Sequence, residues 1–167
     1  MSRDTHPIPF LFLKPGELMV RDEPMIVTTL LGSCVAVTMF CPRLHLGAIC
    51  HALLPACREE TPCRQGHGRT GKYVECAIRI MLEKFQAHGV ARSEIDAKLF
   101  GGSDMFDKGG ARSKSVGRQN MEMALGMLED NAIRVVTQDL GGARGRKIIF
   151  HTHTGEVFLK RLRKSEI

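Results

Sequence analysis

The sequence predicts a mixed α+β fold, in which a run of strands is followed by two helices and further strands. Three observations support this prediction. The first half alternates short, β-branched runs with turn residues, the second half holds two segments of helical period, and the chain closes on a hairpin pattern. A length of 167 residues is typical of one domain, and a composition of 43% hydrophobic and 25% charged residues is that of a globular protein.

Four strands are predicted in the first half, and the uncharged stretch Met25–Pro42 holds two of them. This stretch of 18 residues approaches the length of a membrane span. Gly32 and Ser33 lie near its centre, a pattern that favours two buried strands joined by a bend over a membrane helix. The predicted strands are Gly16–Val20, Met25–Leu31, Val35–Cys41 and Leu46–Leu54.

Two amphipathic helices are predicted in the second half, separated by polar and glycine-rich loops. Apolar residues recur there every three to four positions, which is the period of a helix with one buried face. The order of these elements favours an α+β fold over repeated βαβ units. The helices are predicted over Tyr73–His88 and Gln119–Asp130, strands over Ala97–Phe100 and Ile133–Gln138, and a closing hairpin over Lys147–Thr152 and Glu156–Leu162.

The formal charge of +6 restricts the partners only weakly. A basic chain can approach nucleic acid, an anionic membrane or an acidic protein. Aromatic residues make up 5% of the chain and tryptophan is absent, which disfavours the base-stacking surfaces of nucleic-acid-binding proteins. No secretory signal precedes the six cysteines, so we expect a cytoplasmic protein with free thiols and no segment inserted in a membrane.

The strongest candidate for chemistry is Cys34, which follows Gly32 and Ser33 between two predicted strands. A Gly-Ser bend at a strand end can turn backbone N–H groups toward a side chain, and a reactive thiolate needs such donors and a nearby base. His51, 17 residues further on in the next strand, is the candidate base. A third group would orient its imidazole ring, either Thr28 or a backbone carbonyl close to it.

Each of these residues also has a purely structural interpretation. Cysteine is among the most buried residue types and often packs as a small hydrophobic side chain, the role we predict for Cys41, Cys50 and Cys76. A histidine in an apolar strand is often a core residue whose hydrogen bonds are satisfied. Spacing alone therefore does not decide between a catalytic Cys34 and a packed one.

Cys57, Cys63 and His67 form a second group of potential ligands. Their spacing, C-x5-C-x3-H, does not match the knuckles of structural zinc sites, so a zinc protein is only an alternative here. The glycine-rich segments GGSDMFDKGG and GGARGRK contain neither phosphate-loop pattern, and tight turns or close backbone approach explain their glycines. We therefore predict no metal and no cofactor.

Five segments of the chain together resemble the CheD family. They are TTLLGSCVAV, LGAICHALLP, KLFGGSDMF, SVGRQNM and QDLGGARGRKIIFHTHTGEVFLKRL. The resemblance covers residues 16–162, so we expect a single CheD-like domain over residues 1–167, with a basic tail at residues 160–167. CheD proteins are chemoreceptor glutamine deamidases of bacterial and archaeal chemotaxis. The resemblance implies a cysteine-dependent amidohydrolase that converts selected receptor glutamines to glutamate and releases ammonia.

The resemblance also implies residue roles around the bend. Cys34 matches the nucleophile of the family, His51 its acid–base, and Thr28 the threonine that orients the ring. Backbone N–H groups near Cys34, at positions 32 and 33, would support the oxyanion. Thr29 stands beside Thr28, and because side chains alternate along a strand, only one of the two can face His51.

The resemblance further implies a fold and partners. The family fold is an α/β sandwich in which mixed β-sheets lie between flanking helices, and it resembles the deamidase domain of the cytotoxic necrotizing factor toxins. The implied partners are methyl-accepting chemotaxis receptors and, in some organisms, CheC, a phosphatase of the response regulator CheY. An alternative is a binding module that docks on receptors or on a CheC-type phosphatase without catalysis.

Overall fold

The computed structural model describes residues 6–58, 71–105 and 114–163, and every structural statement below concerns these residues. Two β-sheets lie face to face, and two helices cover the outer face of one sheet, which confirms a mixed α+β fold. The helices are α1 Val74–Ala87 and α2 Val116–Asp130. The strands are β1 Phe10–Phe12, β2 Leu18–Arg21, β3 Ile26–Leu31, β4 Val35–Cys41, β5 Leu46–Ala52, β6 Asp96–Gly101, β7 Arg134–Leu140, β8 Arg146–His151 and β9 Val157–Arg161.

The smaller sheet has the strand order β1-β3-β8-β9. β1, which is not among the predicted strands, runs parallel to β3, whereas β8 is antiparallel to both of its neighbours. Alternate residues of these strands face inward, including Val27, Ile148 and Phe150, while Phe10 and Phe158 are exposed on the outer face. The predicted closing hairpin is confirmed as β8 and β9.

The larger sheet has the strand order β2-β5-β4-β6-β7, and only its β6–β7 pair is parallel. Its central strands β4 and β5 are buried on both faces, which explains why their sequences are mostly apolar rather than alternating, with Thr38 and His51 as buried polar exceptions. Val35, Val37 and Met39 of β4 pack with the helices, whereas Ala36 faces the smaller sheet. Both sheets are therefore mixed, as predicted.

Both helices pack on the same face of the larger sheet. Each buries one stripe of its surface, and the side chain of Ser115 caps α2 by accepting a hydrogen bond from the N–H of Arg118 at 3.2 Å. The layers thus run from helices to larger sheet to smaller sheet. This differs from the expected arrangement of sheets between helices, because no helix of the described residues covers the outer face of the smaller sheet.

The uncharged stretch Met25–Pro42 forms β3 and β4 as predicted, but the two strands belong to different sheets. Gly32 and Ser33 make the bend that carries the chain from one sheet to the other. No helix in the described parts of the chain is long and apolar enough to span a bilayer. Because the bend joins strands of different sheets, it lies at the rim between them, and Cys34 is the first residue after it.

The described cysteines differ in state. Cys41, Cys50 and Cys76 are buried, as predicted from their apolar surroundings. The thiols of Cys34, Cys41, Cys50 and Cys57 are free. Cys76 forms a disulfide, so the expectation of free thiols throughout the chain is wrong for this residue.

Candidate active site

The backbone around Cys34 is held in place by a loop that follows β6. The carbonyl of Gly32 accepts a hydrogen bond from the N–H of Ser103 at 3.0 Å, and the carbonyl of Cys34 accepts one from the N–H of Gly102 at 2.9 Å. Gly101 has a φ of +106°, and a Cβ there would lie 2.2 Å from the Cys34 oxygen. Only glycine permits this approach, which accounts for the GGS sequence at this position.

Asn120 of α2 binds the same bend from the helical side. Its Nδ2 donates to the carbonyl of Ser33 at 3.0 Å and to the carbonyl of Leu53 at 2.9 Å. Sequence reasoning missed this residue. The available signal was its position between Gly117 and Ala124 on the buried stripe of α2, where a polar amide needs buried partners.

His51 and Cys34 lie on one face of the larger sheet. His51 is directly opposite Ala36 in the β4–β5 ladder. Side chains alternate along a strand, so position 34 shares the face of position 36 and is a diagonal neighbour of position 51. Cys34 packs against the inter-sheet cluster to which Ala36 belongs. The structure thus brings the predicted nucleophile and base to neighbouring positions between the sheets.

Thr29, rather than Thr28, contacts the imidazole ring. Its Oγ1 lies 2.7 Å from Nδ1 of His51. The hydroxyl of Thr28 donates instead to the carbonyl of Ile148, at 3.0 Å. The prediction that Thr28 makes the orienting contact is therefore wrong, because strand alternation turns Thr29 toward the inter-sheet space and Thr28 toward the outer face of the smaller sheet.

The hydrogen bonds of Thr29 assign the tautomer of His51. The hydroxyl proton of Thr29 is donated to the carbonyl of Leu13 at 2.8 Å, so its oxygen is left to accept from Nδ1–H of His51. Nε2 of His51 then carries the lone pair, and it is buried without a hydrogen-bond partner among the described residues. This arrangement leaves one ring nitrogen fixed and the other available as a base.

Burial sets the protonation of both candidate catalytic groups. It lowers the pKa of His51 to about 4, so the imidazole is neutral at pH 7. It raises the pKa of the Cys34 thiol above 9.0, and a hydrogen bond from the backbone N–H of Cys34 partly opposes this rise. The resting pair is therefore a neutral thiol and a neutral imidazole.

A buried guanidinium supports the loop behind Cys34. Arg146 of β8 is 3% exposed, and its Nε donates to Oδ1 of Asp139 at 2.6 Å. Its Nη1 donates to Oγ of Ser103 at 2.8 Å and its Nη2 to the carbonyl of Gly141 at 2.7 Å. Because Ser103 also binds the carbonyl of Gly32, Arg146 links both sheets to the bend.

The second predicted cluster falls largely outside the described residues. Cys57 is half-buried with a free thiol, and Cys63 and His67 are not described. Within residues 6–58, 71–105 and 114–163, no three or more His, Cys, Asp or Glu side chains are arranged to hold a metal ion. The zinc alternative therefore receives no support from the described residues.

Most of the chain is similar to one family. A family model described as CheD chemotactic sensory transduction matches residues 53–161. This match begins just after His51, so it includes the GGS loop and Asn120 but not the bend at Cys34.

Three relatives extend the similarity to nearly the whole chain. A probable chemoreceptor glutamine deamidase CheD 2 of Geobacter sulfurreducens is 44% identical over 162 residues, covering 96% of each protein. A probable chemoreceptor glutamine deamidase CheD of Trichlorobacter lovleyi is 39% identical, over 96% of this chain and 95% of the relative. A protein of the same name from Maridesulfovibrio salexigens is 36% identical, over 98% of each protein. These similarities extend over the region of Cys34 and His51.

Proposed function

The chain belongs to the CheD family, and from this membership and the geometry around His51 we propose that it is a protein-glutamine deamidase of methyl-accepting chemotaxis receptors. Its relatives carry the name chemoreceptor glutamine deamidase. The observation that carries the proposed chemistry is the buried, unpartnered Nε2 of His51 on the face shared with Cys34. A neutral base beside a thiol is what amide hydrolysis through a thioester requires.

In the proposed first half-reaction, the Cys34 sulfur attacks the side-chain carbonyl carbon of a receptor glutamine. The thiol proton moves to Nε2 of His51, and negative charge develops on the amide oxygen. Backbone N–H groups near Cys34 stabilise this oxyanion, a contribution worth about 3–4 kcal/mol per donor in other hydrolases. The C–N bond then breaks, His51 returns the proton to the leaving nitrogen, and ammonia leaves behind a thioester.

In the second half-reaction, neutral His51 removes a proton from water, which attacks the thioester carbon. The C–S bond breaks, the sulfur takes the proton back from the imidazolium, and glutamate is released. Thr29 keeps Nδ1 engaged in both steps, so that Nε2 alone exchanges protons. No metal or cofactor takes part in these steps.

The proposed substrate also fits the charge of the chain. Each deamidation adds one carboxylate to a receptor helix and creates a new methylatable site. An enzyme of net charge +6 is attracted to an acidic helical bundle, which speeds encounter more than it strengthens binding. Action on the cytoplasmic bundle of the receptors implies a cytoplasmic location for this chain.

Two finer expectations from the family remain part of the proposal. One is binding of a CheC-type phosphatase, for which co-migration of the two purified proteins in size-exclusion chromatography is the direct test. The other is the likeness to the deamidase domain of the cytotoxic necrotizing factor toxins. The two sheets with helices on one face are the feature to superpose on that domain.

The test of the proposed function is intact-mass analysis of a receptor cytoplasmic fragment incubated with this protein. Each deamidation raises the mass by about one dalton and adds a carboxylate that is ionised at neutral pH. We expect a shift that maps to glutamine residues and that is absent with Cys34→Ala. If no receptor fragment shifts although the fragment binds the protein, the deamidase proposal fails and the binding-module alternative takes its place.

The two adjacent threonines offer a matched test of the site. Thr29→Val is expected to lower the kcat of deamidation about tenfold, the equivalent of one hydrogen bond of about 1.4 kcal/mol. Thr28→Val removes a hydrogen bond to Ile148 but leaves the imidazole contact intact, so its kcat is expected to stay within about twofold of the parent. The reverse order of effects, measured with both folds intact, would contradict the contact between Thr29 and His51.

A further inference from the structure

The amide of Asn120 joins the two elements that carry Cys34 and His51. Its Nδ2 donates to the carbonyl of Ser33, the residue before Cys34, and to the carbonyl of Leu53, two residues after His51. The side chain is fully buried. One amide nitrogen on α2 therefore connects the start of β4 with the end of β5 at the position where the candidate catalytic groups meet.

The bond to Ser33 also fixes the direction of the Cys34 N–H. A trans peptide is planar, and its C=O and N–H groups point in opposite directions. Because the Ser33 carbonyl points to Asn120 in α2, the N–H of Cys34 points away from the helix. A hydrogen bond from the same N–H to the Cys34 sulfur partly offsets the rise that burial causes in the pKa of the thiol.

The carbonyl groups of the residues on either side of Ser33 are bound by backbone groups rather than by side chains. Those of Gly32 and Cys34 accept from backbone N–H groups of Ser103 and Gly102, so the peptide between Ser33 and Cys34 is the one that depends on a side chain. Oδ1 of Asn120 is buried without a hydrogen-bond partner among the described residues. An unpartnered buried oxygen destabilises the fold, so packing alone does not explain an amide at this position.

We propose that Asn120 is a positioning residue, which orients the Ser33–Cys34 peptide so that the Cys34 N–H faces the reacting thiol and the oxyanion formed on attack. The inference rests on the proposed function for its catalytic part. It acts through the backbone of Cys34, since Asn120 lies on α2 and its amide donates to the carbonyl groups of Ser33 and Leu53. Losing the amide frees this peptide to rotate, which removes a donor from the thiolate and from the oxyanion at the same time.

The test compares Asn120→Leu with Asn131→Leu. Leucine matches asparagine closely in size but donates no hydrogen bond, and Asn131 makes a similar amide-to-carbonyl bond, 2.7 Å to Met127, at the far end of α2. We expect Asn120→Leu to lower the kcat of receptor deamidation about 10- to 100-fold with KM within about threefold, since the lost interaction acts mainly in the transition state. Asn131→Leu is expected to keep both constants close to those of the parent protein.

A second readout requires no substrate. Alkylation of Cys34 by iodoacetamide, followed by peptide mass spectrometry across pH, reports the pKa of the thiol in the folded protein. With the N–H turned away, this pKa is expected to rise, so Asn120→Leu should alkylate more slowly at pH 8 than the parent and Asn131→Leu should not. Asn120→Asp, whose protonated carboxyl restores one donor to the carbonyls, is expected to give intermediate values in both assays.

Two results would overturn the positioning role. The first is an Asn120→Leu protein that unfolds like Asn131→Leu and keeps the parent kcat and the parent alkylation profile. The second is a loss of kcat that scales with the loss of folded protein in both variants. If the parent protein deamidates no receptor but Asn120→Leu still shifts the alkylation profile, the proposed function fails while the effect of Asn120 on Cys34 stands.

Discussion

His51→Gln is expected to lower kcat about 10²- to 10⁴-fold, the range over which a positioned general acid–base contributes to catalysis. The glutamine amide can still donate a hydrogen bond to Thr29, but it has no group that accepts the thiol proton. The matched control is His88→Gln, because His88 is exposed at the end of α1 and its Nδ1 contacts the carbonyl of Lys84. Steady-state deamidation of a receptor fragment measures both variants.

The pH dependence of the parent enzyme tests the same assignment. In the proposed mechanism the active form has neutral His51 and protonated Cys34, so activity is expected to persist from pH 5 to pH 8, because the pKa of His51 is lowered to about 4 and that of Cys34 is raised. Below pH 4 the imidazole is protonated and the rate of the acylation step falls. A midpoint near pH 6.5 would show an exposed histidine and contradict the buried base.

The lowered pKa of His51 also predicts how the stability of the fold changes with pH. The pKa of His51 is 6.5 when unperturbed and about 4 in the fold, so between these values the unfolded chain binds the proton and the folded chain does not. The free energy of unfolding therefore falls as pH drops from 6.5 to 4, by up to about 3 kcal/mol. His51→Gln lacks this loss, so urea titrations at pH 7 and pH 4.5 should differ less for the variant. An equal difference in both proteins would place the lowered pKa elsewhere.

Much of the fold follows from the pattern of the sequence. β4 begins and ends at the predicted residues because an uncharged, β-branched run between a Gly-Ser bend and a proline leaves little choice. β1 could not be predicted, because three residues next to prolines show no strand pattern in the sequence. They form a strand by pairing with β3. The sequence also does not show that the chain changes sheet at Gly32 and Ser33. The same bend can join two strands of one sheet or strands of two different sheets.

The candidate site residues could be named from the sequence, but their contacts could not be predicted from it. Cys34 and His51 stand out as residue types, and Cys34 packs against the inter-sheet cluster that contains Ala36, the residue opposite His51. The choice between Thr28 and Thr29 depends on which sheet face each occupies, and a spacing of six residues does not settle that. Asn120 is distant in the chain from both groups, and only packing of α2 on the larger sheet reveals its role.

Arg146→Met is expected to lower the free energy of unfolding by about 3 kcal/mol, near the lower end of the cost of breaking a buried ion pair. The variant leaves the hydroxyl of Ser103 and the carbonyl of Gly141 without their charged donor, while Asp139 keeps its pair with Arg161 at 2.5 Å. This remaining pair is the reason for expecting the lower end of the range. Urea unfolding at pH 7 measures the change.

The matched control for Arg146 is Arg134→Met. Arg134 of β7 pairs with Asp96 of the neighbouring strand β6 in the larger sheet. Its side chain is 70% exposed, whereas that of Arg146 is 4% exposed. A solvent-exposed pair contributes at most about 1 kcal/mol, so the control is expected to unfold nearly as the parent does. Equal losses in the two variants would mean that Arg146 contributes no more than a surface charge. A larger loss for Arg146→Met, with slower deamidation by the protein that remains folded, would show that the guanidinium holds the loop against which Cys34 is positioned.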